Sequence, residues 1–76
     1  MRVPDKDLRR KFGKLVRHLR HDREMTQEQL AELADLSINS ISQIETGQAS
    51  PSLETIVKLA KALDVDVGEL FKFDVK

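Results

Sequence analysis

The chain has 76 residues, 13 basic and 13 acidic side chains and no cysteine. That length fits a single domain over residues 1–76 and excludes a large or multidomain enzyme, because separate hydrophobic cores appear only in much longer chains. Without cysteine there is no disulfide framework, thiolate metal site or thiol nucleophile, and without an apolar run near the roughly 20 residues that cross a bilayer, a cytoplasmic protein is expected.

The balanced charge hides two unequal segments. Residues 1–23 hold nine Lys and Arg against Asp5, Asp7 and Asp22, a net of +6, so the remainder carries −6. From Glu24 to Val57 there is no basic residue. The basic segment is open to two readings, a solvated helix face or a phosphate-facing one.

In chain order, Leu8, Phe12, Leu15, Val16 and Leu19 make one stripe with a period near 3.6 and predict a first helix over 7–22. Pro4, Asp5 and Asp7 suit its start, where carboxylates favour the positive end of the helix dipole. Three later starts share one pattern, a polar N-cap preceded by an apolar residue able to pack four positions past the cap. Thr26 caps with Gln29 completing a capping box and Met25 set against Leu30. Ser37 caps with Leu36 set against Ile41. Asp66 caps with Glu69 closing a box and Val65 set against Leu70. Helices therefore begin near 27, 38 and 67. Another starts at Ser50-Pro51-Ser52 and carries the stripe Leu53, Ile56, Val57, Ala60, Leu63, with Gly47 stopping the helix before it. The alternation in Phe71-Lys72-Phe73-Asp74-Val75 predicts a short extended tail.

Residues 27–34 and 38–46, joined by Asp35-Leu36-Ser37, form a helix-turn-helix pattern. Leu30, Ala34, Leu36, Ile41 and Ile44 are its inward set, and Ala31 is small where the helices approach. Ile38, Asn39, Ser42, Gln43 and Thr46 face outward, with Ser40 at the edge. Asn and Gln match the edge of adenine and an aliphatic group meets the thymine methyl, whereas arginine, the usual reader of guanine, is missing. A contacted site rich in A·T is the expectation.

On Met25-Thr26-Gln27-Glu28-Gln29-Leu30-Ala31, on Ile41-Ser42-Gln43-Ile44-Glu45-Thr46-Gly47, and on Pro51-Ser52-Leu53-Glu54 running into Leu59-Ala60-Lys61-Ala62-Leu63, the sequence resembles the Cro-like or XRE family of prokaryotic repressor DNA-binding domains, from about Phe12 to Phe71. The resemblance implies an all-α, compact five-helix bundle of the lambda-repressor-like type, with the helix over 38–46 in the major groove of double-stranded DNA. It implies base contacts from Ile38, Asn39, Ser40 and Gln43. It also implies DNA-backbone contacts from Thr26, Gln27, Ser42, Thr46, Gln48 and Ser50, with Arg17 and Arg23 as nearby cations. Arg20 and Glu45 match a structural ion pair that joins the first helix to the end of the third. Glu24, Asp35 and Asp64 stand where the family often has glycine.

Phe71, Phe73 and Val75, within a possible dimerisation element over 65–75, either form a two-fold interface or fold back onto the core. No cofactor or metal is expected: His18 and His21 are read as solvated, and no catalytic motif is present. The leading function is a homodimeric, sequence-specific transcriptional regulator on a palindromic operator. The alternative is a protein-interaction module, an antirepressor or antitoxin whose acidic surface meets a basic partner.

Overall fold

The computed structural model describes residues 5–74, which form α1 (Asp5–Asp22), α2 (Gln27–Ala34), α3 (Ile38–Glu45), α4 (Leu53–Leu63) and a closing 3₁₀ turn over Val67–Phe71. Pro4 and Val75 lie outside these residues. The core is built from Phe12 and Val16 of α1, the inner faces of α2, α3 and α4, and Leu70.

The local signals at the helix starts are present as side-chain bonds. Thr26 Oγ1 accepts from Gln29 N at 3.0 Å while Thr26 N donates to Gln29 Oε1 at 2.8 Å, so the capping box is closed. Ser37 Oγ accepts from Ser40 N at 3.0 Å, and Ser52 Oγ accepts from Thr55 N at 3.1 Å.

The ends share one construction as well. Glu24, Asp35, Gly47 and Asp64 take φ of 53°, 57°, 78° and 57°. In each case the next N–H reaches back five residues: Met25 to Arg20, Leu36 to Ala31, Gln48 to Gln43 and Val65 to Ala60, at 2.8–3.1 Å. Met25, Leu36 and Val65 pack against the core, so at three corners one apolar residue both seals the finished helix and precedes the cap of the next. Three of the four left-handed positions hold an acid, which carries a Cβ penalty that glycine does not.

Three expectations are corrected. The last element is a 3₁₀ turn, not a fifth α-helix; Asp66 makes no side-chain cap bond, and the Glu69 carboxylate lies 2.8 Å from Lys72 Nζ instead of closing a box. That hydrogen bond raises the Lys72 pKa. In α4 the inward face is Ile56, Leu59, Ala60 and Leu63, leaving Leu53 77% exposed and Val57 exposed beside it. The tail is not extended at its start: Phe73 N donates to Phe71 O at 2.9 Å, and Lys72, at φ −82° and ψ 68°, is the centre of an inverse γ-turn.

Phe71 turns back on Phe12 with ring centroids 5.8 Å apart and on Phe73 at 6.4 Å. Phe73 packs against the core while Phe71 stays 47% exposed. Among the described residues, no helix is long and apolar enough to cross a membrane.

Candidate nucleic-acid interface

The orientation of α3 is set first by a glycine. A Cβ built on Gly13, in the middle of α1, would fall 2.1 Å from Ile44 O and 2.8 Å from Glu45 O, so α1 and the end of α3 meet backbone to backbone. Gly47 closes the same corner: Arg9 Nε donates to its carbonyl at 3.2 Å, and a Cβ built on it would fall 2.9 Å from Arg10 Cγ.

A buried ion pair holds the same end of α3 from farther along α1. Arg20 Nε donates to Glu45 Oε2 at 2.7 Å and Nη2 to Oε1 at 3.0 Å, with both side chains almost wholly out of water. Arg20 Nη1 donates to Met25 O at 2.7 Å, so the pair ties α1, the α1–α2 turn and α3 together. A carboxylate at a helix C-terminus opposes the dipole, and the guanidinium offsets that charge.

With its underside held by Ile41, Ile44 and Glu45, α3 turns Ile38, Asn39, Gln43 and Thr46 into solvent. Asn39, Gln43 and Thr46 follow at spacings of four and three, one stripe of the helix, and Ile38 flanks it at 46% exposure. The amides of Asn39 and Gln43 have no hydrogen-bond partner among the described residues.

Other residues expected in the interface are more constrained. Ser40 is half-buried and its hydroxyl accepts from Ser37 Oγ at 3.0 Å. Ser42 is half-buried and its carbonyl accepts both the amide and the hydroxyl of Thr46, the latter at 2.9 Å. Phosphate oxygens only accept, so Thr46 offers them a donor only by leaving that bond. The backbone amides of Thr46, Gly47, Gln48 and Ala49 all donate to α3 carbonyls, so any DNA-backbone contact from this stretch falls to side chains. Gln48 and Ser50 are exposed, and their side chains have no partner among the described residues.

At the start of α2, Thr26 is a cap, and Gln27 is half-buried with Nε2 donating to Glu45 Oε1 at 3.0 Å. One of the two N–H groups of that amide is thereby committed within the protein.

The cations are also redistributed. Arg23 bonds back to Leu19 O at 3.1 Å and lines an open groove with Lys61, Asp64, Asp66 and Glu69, on the side of α4 and the 3₁₀ turn. Arg10 and Lys14, which the sequence did not single out, line a cavity with Thr46 and Glu45 at the end of α3. With Arg17 they form an exposed stripe at spacings of four and three along α1. Their signal lay in the register with Gly13, legible only once Gly13 is known to touch α3. Among the acids, Glu45 is neutralised inside, so Glu24, Glu28, Glu32, Asp35 and Glu54 are the exposed ones between residues 24 and 57.

His18 and His21 are exposed on α1, and His18 Nε2 lies 3.5 Å from Asp22 Oδ2 one turn on.

Comparison with known proteins gives a consistent relationship. A helix-turn-helix family model, HTH_3, matches residues 16–70. The chain is 41% identical over 68 residues to the control protein C.BamHI of Bacillus amyloliquefaciens, covering 88% of this chain and 84% of that one. It is 39% identical over 59 residues to the CTXphi transcriptional repressor RstR of Vibrio cholerae, covering 78% of this chain and 53% of the repressor, about half of its length. The crystal structure of the restriction-modification controller C.AhdI from Aeromonas hydrophila superposes with a TM-score of 0.82 at 43% identity, over 83% of this chain and 96% of that one. The chain belongs to the XRE-like helix-turn-helix family.

Proposed function

We propose that the protein is a sequence-specific DNA-binding transcriptional regulator of the cytoplasm that reads the major groove with α3. The observation that carries this is the uncommitted amide stripe of Asn39 and Gln43, flanked by Ile38, on a helix whose other face is locked by Gly13 and Arg20. Asn39 and Gln43 read adenine, Ile38 meets a thymine methyl, and Ser40 contributes from the edge. Gln27, Gln48 and Ser50 contact phosphates with neutral donors, while Thr26 and Ser42 contribute through their place at the helix surface and Arg10, Lys14 and Arg17 supply charge. The similarity to C.BamHI, at 41% identity, and to C.AhdI, at 43% identity, supports a restriction-modification controller as one such regulator.

The regulator acts as a homodimer on a palindromic site, which spaces its two recognition helices about 34–36 Å apart. Support for this comes from the apolar side chains left in water, Leu53 and Val57 on α4 and Phe71 after it, with Phe73 alongside. Val75 belongs to the same proposal.

Selection of binding sites from random duplexes, followed by footprinting, tests the reading. Protected sites rich in A·T, with Asn39→Ala and Gln43→Ala each losing preference at one base step, are expected; invariant guanines at the contacted steps refute the base assignment. A second reading, a module that docks a basic protein, draws support from the exposed face of α2, where Leu33 is 61% exposed between Glu28, Glu32 and Asp35. Absence of any footprint at low salt favours it.

A further inference from the structure

The Glu45 carboxylate serves three donors with two oxygens: Arg20 Nε on Oε2, and Arg20 Nη2 together with Gln27 Nε2 on Oε1. Two of these bonds account for the ion pair. The third reaches across to the first residue of α2 and fixes a side chain that lies half in solvent. Each Glu45 oxygen already accepts from Arg20, so the Gln27 bond is not needed to satisfy Glu45.

What the bond does is hold a primary amide by one N–H and leave the other directed to an acceptor elsewhere. The first turn of α2 carries Glu28 and no cation, so any contact with a polyanion there depends on a neutral donor whose rotamer is already fixed. We propose that Glu45 is a positioning residue for Gln27: from the end of the recognition helix it sets the amide that clamps a DNA phosphate at the start of α2. The clamp and the base-reading stripe are thereby placed by one rigid group. The proposal rests on the DNA-binding reading above.

The test measures affinity for a selected operator and for a random duplex, well below the melting transition, with Tm recorded for each variant. Gln27→Met keeps the length and removes the donor. Gln27→Asn keeps the donor but cannot reach both partners. Glu45→Gln keeps the size while reducing two acceptor oxygens to one. Each is expected to lose about tenfold on both duplexes alike, the worth of one hydrogen bond to a charged acceptor, with the operator-to-random ratio unchanged. Both Gln27 variants are expected to melt near the wild type. The double variant Glu45→Gln/Gln27→Met is expected to lose no more than either single one.

Wild-type binding by Gln27→Asn, or by folded Glu45→Gln, overturns the proposal, as does a double variant whose losses multiply. A loss confined to the operator overturns it too, because that is the signature of a tilted α3. Should Glu45→Gln fail to fold, Gln27→Asn decides alone. A wild-type protein that binds no duplex at low salt removes the DNA-binding reading itself, a result distinct from all of these.

Discussion

Two glycine-to-alanine substitutions in this chain should move stability in opposite directions. In an exposed helix, alanine is favoured over glycine by about 1 kcal/mol. At Gly13 the added carbon meets Ile44 O at 2.1 Å and Glu45 O at 2.8 Å, both backbone atoms that cannot rotate aside. Relieving a carbon–oxygen contact to its usual separation requires α1 and α3 to part by about 1 Å. Overpacking of that severity costs about 3 kcal/mol, so after the propensity gain the net loss is about 2 kcal/mol. Against a total of about 4–11 kcal/mol for a domain of this length, that is a large fraction. At Gly68 a Cβ meets nothing within 4 Å, so Gly68→Ala should gain about 0.4–1 kcal/mol by restricting the unfolded chain. Thermal unfolding followed by circular dichroism should show Gly13→Ala melting about 8–16 °C below the wild type and Gly68→Ala about 2–8 °C above it. A Gly13→Ala protein that melts at or above the wild-type temperature would refute the close approach of α1 to α3.

Glu24, with a φ of 53°, should be relieved by glycine: Glu24→Gly is expected to stabilise by about 1 kcal/mol in urea unfolding, and a loss of stability would mean that the side chain contributes more than its strain. Glu45→Ala leaves Arg20 buried without its counter-charge and should cost about 3–5 kcal/mol; an unchanged melting temperature contradicts the ion pair's role. Lys14→Ala should weaken binding to operator and random duplexes equally and reduce the log–log salt slope by about 1, whereas Arg23→Ala, on the acidic groove, should change the slope little. Reversed effects at those two positions would place the polyanion on the other face. With five exposed acids between residues 24 and 57, the wild-type slope should be shallower than about −8, and a steeper one contradicts a contact surface held mainly by neutral donors.

Much of the fold was legible because the corners are local. Glu24-Met25-Thr26 and Asp35-Leu36-Ser37 each write a stop, an anchor and a start into three adjacent residues, and no distant contact is needed to decode them. The outward stripe of α3 followed from the inward one by helical period alone. Errors arose where the third dimension decides. Leu53 and Val57 fit a stripe in the sequence, but α4 is rotated so that Leu59 takes the inner place. Asp66 and Glu69 have the spacing of a capping box, but five residues wound as a 3₁₀ turn put Glu69 beside Lys72. The commitments of Gln27 to Glu45 and of Thr46 to Ser42 came from neighbours that residue types alone do not identify. Gly13 drew no notice in the sequence because nothing in the chain announces which backbone it meets.

That contact at Gly13 separates what can drift from what cannot. Because two main chains touch there, α3 has no freedom to swivel or slide on α1. Under the proposed reading of DNA by α3, a change of preference must come from exchanging the solvent-side residues at positions 38, 39 and 43 on an unmoving frame.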